Sequence, residues 1–160
     1  MSNYLTVAGL CLLFLITGQA YAQEDTPKNG VYLETYLLRH DFNEGWISIN
    51  YERAFGKELK NRFRIGIYPD FETLITLPIT YTRVSPIGAT GTSAIEWGGG
   101  FVFRYERFQG NNYYDVPAVL FPVMYRYQAG DSGFFARAGI NLWVSWPFLP
   151  APSLSVGYRF

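Results

Sequence analysis

From residue 30 onward the chain alternates apolar and polar positions in stretches of roughly ten residues, the period-two signature of half-buried β-strands, and Gly, Asn, Asp and Pro punctuate the stretches. Residues 30–40 (GVYLETYLLRH) open the series and HDFNEG turns it. Residues 46–55 (WISINYERAF) place Ile47, Ile49, Tyr51 and Phe55 on one face and Ser48, Asn50 and Glu52 on the other, before the polar turn GKELKN. Residues 62–68 set Phe63, Ile65 and Ile67 against Arg62, Arg64 and Gly66. Residues 72–84 set Leu77, Ile79 and Tyr81 against Thr76, Thr80 and Thr82. Residues 94–106 carry Ile95, Trp97, Phe101, Phe103 and Tyr105 opposite Glu96, Arg104 and Glu106. Residues 116–128 carry Val119, Phe121, Val123, Tyr125 and Tyr127 opposite Met124, Arg126 and Gln128. Residues 134–144 set Phe134, Ala136, Ala138, Ile140 and Leu142 against Arg137 and Asn141. The closing stretch, 153–160, sets Leu154, Val156, Tyr158 and Phe160 against Ser153, Ser155, Gly157 and Arg159.

Eight such stretches with short connections predict an all-β fold, an eight-stranded antiparallel up-and-down transmembrane β-barrel over residues 30–160. Ahead of it, the apolar run Leu5–Ile16 and the small residues Ala20 and Ala22 around Tyr21 read as a signal peptide over 1–22, cleaved after Ala22, with a short periplasmic segment at 23–29. The single cysteine, Cys11, lies inside that leader, so stability must come without disulfides. Formal net charge is zero, which argues against nucleic acid as a partner, and no later run of apolar residues is long enough for a transmembrane helix.

Alternation alone does not say which face looks outward. A lipocalin-like periplasmic carrier would turn the aromatic face inward around a ligand, whereas an outer-membrane barrel would turn it to lipid. Three features favour the membrane. An eight-stranded barrel has too little internal volume for so many rings. The strands carry Arg and Glu while the lysines, Lys28, Lys57 and Lys60, stay outside them, and planar Arg suits buried pairing. The last strand must also pair with the first, because a lipid-exposed sheet edge would leave N–H and C=O groups unpaired. A lumen network is therefore expected from Glu52, Arg64, Glu96, Arg104, Glu106, Arg126, Arg137 and Arg159, with Glu34 and Glu72 on the same face, plugging the interior. Lipid-facing positions are expected at Ile47, Ile49, Phe63, Ile65, Ile67, Ile79, Phe101, Phe103, Val119, Phe121, Val123, Ile140 and Leu142. Interface aromatics are expected at Tyr51, Tyr81, Trp97, Tyr105, Tyr125 and Tyr127, with Trp46, Trp143 and Trp146 adding to the girdles. Pro78, Pro117 and Pro122, and the run Gly98–Gly100, are where irregular pairing is expected.

In ISINYERAF near the start and LSVGYRF at the end, the chain resembles small eight-stranded outer-membrane barrels of the OmpA-transmembrane-domain, OmpX and OmpW kind, and more closely short barrels of the Bacteroidota. The resemblance implies a Gram-negative outer-membrane location. It also implies that Leu154, Val156, Tyr158 and Phe160 match the C-terminal signal read by the insertion machinery.

Candidate chemistry is sparse. The one histidine, His40, falls at a hairpin tip beside Asp41 and Glu44 with no His-x-Ser pattern, and no His pair or Cys cluster suggests a metal. WGGGF lacks the Lys and the helix of a phosphate loop. No catalytic, cofactor-binding or metal-binding residue is assigned. The expected partners are outer-membrane lipid and the insertion machinery, and the chain is expected to be a monomer. Hairpin tips near 41–45, 69–72, 107–115 and 145–152 would face outside, with Asn111, Asn112, Tyr113 and Tyr114 the best contact surface. The leading functional reading is a non-enzymatic structural or interaction barrel. The alternatives are a narrow or gated pore, a lipid-modifying enzyme and the periplasmic carrier.

Overall fold

The computed structural model of the chain describes residues 28–36, 46–70, 74–108, 111–114, 118–129, 133–144 and 149–160. The expected leader, the tip holding His40, Asp41 and Glu44, and the residues Glu72 and Trp146 lie outside the described residues. The strands are β1 (Asn29–Tyr36), β2 (Trp46–Phe55), β3 (Asn61–Asp70), β4 (Leu74–Ile87), β5 (Ser93–Phe108), β6 (Asn111–Tyr114), β7 (Ala118–Gln128), β8 (Phe134–Val144) and β9 (Leu149–Arg159), with no helix among the described residues.

Each strand pairs antiparallel with its neighbour, and β1 pairs with β9 from Gly30↔Arg159 to Tyr36↔Ser153, so the sheet closes. Eight strands form the wall. Among the described residues the short β6 pairs with the far end of β5 alone, so Asn111–Tyr114 form a strand where the sequence suggested a loop. Closure is complete to the last residue: Asn29 and Phe160 exchange backbone hydrogen bonds of 3.0 and 2.9 Å. In a closed sheet no backbone row is left for lipid or another chain to satisfy. The end where β1 starts and β9 finishes is called the lower end below, and the opposite end the upper.

Pro78 and Pro122 are accommodated without a change of register, and Pro117 lies outside the described residues. Pro78 pairs with Val102 in an unbroken β4–β5 ladder, whereas the β3–β4 ladder skips from Ile65↔Ile79 to Tyr68↔Thr76. Pro122 likewise pairs with Asn141 on β8, while the β5–β7 ladder skips from Trp97↔Val123 to Gly100↔Leu120. Each proline lacks the one N–H that would have pointed to a single neighbour, so pairing is interrupted on that side only. Strand limits shift accordingly, and β9 begins at Leu149, opposite Trp143, four residues before the alternating stretch suggested.

Gly98 and Gly100 face inward, and a Cβ there would lie 2.0 Å from the Tyr81 carbonyl oxygen and 2.1 Å from that of Ile79. The sequence marked this run as a place of irregular pairing, and the β5–β7 ladder indeed skips Gly98 and Gly99. What Gly98 and Gly100 admit is the close approach of the β4 backbone, which no larger residue would allow.

The two faces are segregated. Outward positions carry exposed Leu33, Ile47, Ile49, Phe63, Ile65, Ile67, Phe101, Phe103, Phe121, Val123, Ile140, Leu154 and Val156. Inward positions carry the buried polar and charged set, together with a few large apolar side chains.

Candidate functional site

The chemistry of this fold lies in its lumen, which is built in two layers. The lower and central layer is ionic. Glu52 on β2 and Glu96 on β5 are fully buried and share four guanidinium groups, those of Arg62, Arg64, Arg126 and Arg137. Arg126 forks onto Glu52 through Nη2–Oε1 at 2.8 Å and Nη1–Oε2 at 3.2 Å, and its Nη1 also lies 3.3 Å from Glu96 Oε2. Arg62 donates to Glu52 at 3.2 Å, and Arg64 bridges Glu52 and Glu96. Thr82 Oγ1 donates to Glu96 at 2.9 Å. Planar, weakly hydrated guanidinium is the cation that can be forked and stacked in this way, which is why the layer contains no lysine.

Arg137 is held differently. Its Nε donates to Ser155 Oγ at 2.8 Å, its guanidinium carbon lies 3.9 Å above the Tyr32 ring, and its Nη1 stands back at 3.6 Å from Glu96. Arg126 stacks at 3.9 Å on Phe135. Arg159, nearer the lower mouth, donates to Gln128 at 2.7 Å.

The upper layer is apolar and aromatic. Tyr36, Tyr68, Val102, Leu120, Trp143 and Ala151 are buried against one another, with ring centroids 5.0 Å apart for Tyr36–Tyr68 and 6.0 Å for Tyr36–Trp143. Between the layers, Glu34 accepts a 3.0 Å hydrogen bond from Tyr36 OH. Asn50 donates to Ser48 at 2.6 Å and Asn141 to Ser153 at 2.8 Å.

Of the residues the sequence proposed for the lumen, Glu52, Arg64, Glu96, Arg126, Arg137 and Arg159 are buried inside, as is Glu34. Arg104 is half-buried two residues past Val102 on β5, beyond the apolar layer and apart from the ionic cluster, and the Glu106 side chain lies outside what is described. Arg62 completes the cluster. Its signal in the sequence is its place beside Arg64 on the polar face of residues 62–68.

One expectation is corrected. Trp143, read as part of a girdle, is 5% exposed and packs inside the upper layer. The apolar face with its many rings points outward, and among the described residues the lumen takes five rings from the other face, Tyr32, Tyr36, Tyr68, Phe135 and Trp143. Inward glycines make the room: a Cβ on Gly157 would meet Tyr32 Cβ at 2.4 Å and Phe135 Cζ at 2.7 Å. The signal lay in parity, since Phe135 and Trp143 share the face of Arg137 and Asn141.

The expected outward positions Ile47, Ile49, Phe63, Ile65, Ile67, Phe101, Phe103, Phe121, Val123 and Ile140 point away from the lumen and are exposed. Ile79, Val119 and Leu142 share that orientation but are half-covered. Tyr51, Tyr81, Trp97, Tyr125 and Tyr127 are exposed, and Tyr105 is half-buried. Three of these tyrosines repeat one device: Tyr51 OH donates to Asn29 at 2.7 Å, Tyr81 OH donates to Asn61 at 2.9 Å, and Tyr125 OH shares a hydrogen with Ser93 at 2.8 Å. Asn29, Asn61 and Ser93 are the first residues of β1, β3 and β5, so the bonds form an outward ring near the lower end. Among the described residues no group of His, Cys, Asp and Glu side chains is gathered to hold a metal ion.

No protein-family model matches the chain, and no curated protein sequence does. Solved structures do. The N-terminal β-barrel domain of Pseudomonas aeruginosa OprF superposes with a TM-score of 0.59 at 13% identity, covering 84% of this chain and all of that one. The Yersinia pestis outer membrane protein Ail, in a phospholipid bilayer nanodisc, superposes with a TM-score of 0.52 at 10% identity over the same shares. At such identities the likeness is one of fold, and the chain has the closed eight-stranded antiparallel β-barrel fold of outer-membrane proteins, with a buried Arg/Glu network inside.

Proposed function

We propose that this chain is a non-enzymatic integral protein of a Gram-negative outer membrane, contributing structure or an interaction surface to the envelope, with a lumen sealed by its own side chains. The observation that carries the reading is the inversion of polarity: the outer wall is apolar and aromatic, while buried Arg, Glu, Asn, Ser and Thr fill the interior. In water this arrangement would expose a contiguous apolar belt far larger than soluble monomers tolerate, and in lipid it is favourable. The tyrosine ring near the lower end fits a membrane–water interface, where an apolar body and a hydrogen-bonding tip are both satisfied. The fold neighbours support the address, one being named an outer membrane protein in a phospholipid bilayer. The outward row Leu154, Val156 and Tyr158, with Phe160, is read as the stretch that the insertion machinery recognises, and membrane lipid as the lateral partner of a monomer.

A narrow pore is the second reading, favoured by the ionic layer and opposed by the apolar layer above it. The experiment is to express the full chain, fractionate the envelope, compare gel mobility with and without boiling, and record conductance of the purified protein in planar bilayers. An outer-membrane band that shifts on heating, without conductance, is the expected result. Conductance that changes on Glu96 or Arg126 substitution would establish the pore. A soluble periplasmic protein with no heat shift would overturn the membrane reading.

A further inference from the structure

The outer wall carries charge in one place near the lower end. In the lower half of β2–β5 the outward positions are uncharged except at Arg53 on β2 and Arg83 on β4, and both side chains are exposed. Each stands two residues beyond a tyrosine of the lower ring, Tyr51 or Tyr81, and so lies roughly 7 Å to the mouth side of it, at the level where a bilayer's headgroups would begin. Arg53 pairs with Phe63 and Arg83 with Asn61, so the two arginines face each other diagonally across β3. The Phe55 and Tyr81 rings form the other diagonal, 5.9 Å apart, and exposed Trp97 stands beside Arg83 on β5.

Neither guanidinium has a hydrogen bond or an ion pair among the described residues. Residues 53–61 and 83–93 are described without a break. Outside the lumen they hold four cations, Arg53, Lys57, Lys60 and Arg83, and one carboxylate, Glu58, which Lys60 binds. Arg83 acts on that carboxylate only from a distance. The patch is also one-sided: on the opposite wall the outward positions at this end are Tyr127, Phe134 and Tyr158, all uncharged. Arginines that merely marked a membrane boundary would serve equally well on any strand.

We propose that Arg53 and Arg83 hold the phosphate-bearing headgroup of an anionic phospholipid, its acyl chains lying up the wall over Ile65 and Phe101. Guanidinium keeps its charge at an interface and forks onto phosphate oxygens, while Phe55, Tyr81 and Trp97 give the glycerol region an amphipathic seat. A zwitterionic headgroup would bring its own ammonium into a patch already short of carboxylates, and an anionic one balances it. The site requires the membrane address of the preceding section and specifies which lipid occupies this part of the wall.

The test is to refold the full chain into bilayers of phosphatidylcholine and phosphatidylglycerol with one or the other lipid brominated on its acyl chains. Quenching at Trp97 is read as the difference between the wild type and Trp97→Phe. Phosphatidylglycerol should be preferred there. An arginine near an anionic surface contributes about fivefold, so the preference should fall by about that factor in Arg53→Gln and in Arg83→Gln and vanish in the double variant. Should the double variant not refold, the single variants and the wild-type comparison decide. Inorganic phosphate, added at matched ionic strength, should leave the preference in place, because the acyl chains supply the rest of the affinity. Equal quenching by the two lipids in a barrel that shifts on heating would overturn the lipid site and leave the membrane reading standing. A preference undiminished without both arginines, or one erased by inorganic phosphate, would do the same. A chain that stays in solution with no heat shift would overturn both.

Discussion

Arg126 and Arg137 stand directly opposite each other across the β7–β8 ladder, two like charges at a cross-strand position where opposite charges would ordinarily be preferred. The pair is held because each guanidinium has somewhere else to go. Arg126 reaches across the lumen to fork Glu52, Arg137 turns to Ser155 and the Tyr32 ring, and Phe135 lies beneath both at 3.9 and 5.5 Å. Local repulsion is thus offset by contacts that exist only because the sheet has closed into a barrel.

Glu52 is the acceptor on which this depends. Glu52→Gln strands Arg62, Arg64 and Arg126 without their shared carboxylate, and removing one partner of a buried ion pair costs about 3–5 kcal/mol. Urea unfolding in detergent measures it. The double replacement Glu52→Leu with Arg126→Met should recover much of that loss, since apolar substitutes of similar volume are often neutral. A single variant within about 1 kcal/mol of wild type would show the network to be well solvated.

The apolar layer is expected to be the seal. Trp143→Ala opens a cavity at a cost of about 3–5 kcal/mol, and it removes the ring that packs against Tyr36. Planar-bilayer recordings should then show a narrow conductance absent from wild type. If the variant is as silent as the parent, the ionic layer below closes the lumen unaided.

Closure itself hinges on small inward residues. Gly98→Ala and Gly100→Ala put a methyl about 2 Å from a β4 carbonyl oxygen, while the outward Gly99→Ala meets nothing closer than Phe121 at 3.4 Å. Refolding yield, scored as the heat-shifted band, should fall sharply for the two inward variants and stay near wild type for Gly99→Ala. Equal yields for all three would mean that β4 and β5 can separate without loss of the barrel.

The outer wall can be probed at its middle. Phe101→Arg should cost about 2–4 kcal/mol in lipid vesicles, as charges do on a lipid-facing midplane. Tyr81→Phe, which loses the bond to Asn61 near the lower end, should cost about 1 kcal/mol. Were Phe101→Arg to refold into vesicles as readily as wild type, the belt would not be lipid-facing.

Much of this was legible along the chain. Alternation in WISINYERAF and RFRIGIY assigned Ile49 and Ile65 outward and Glu52 and Arg64 inward, because successive side chains in a strand point to opposite faces whatever surrounds them. Counted by the same parity, Tyr32, Tyr36, Phe135 and Trp143 belong inward, whereas judged by residue type alone Trp143 reads as a girdle residue. Irregular pairing at Pro78 and Pro122 was legible too, but the sequence did not say that each interrupts one ladder and leaves the other intact.

Sequence by itself thus determined the number of wall strands, the sense of the two faces and the supply of arginine without lysine, all consequences of a backbone period of two and of side-chain chemistry read one residue at a time. Tertiary structure alone decided which charges meet. Glu52 and Arg126 are 74 positions apart, and no local pattern encodes their contact. The register and closure of the sheet bring them to one level of a narrow lumen and stack the aromatic layer above them.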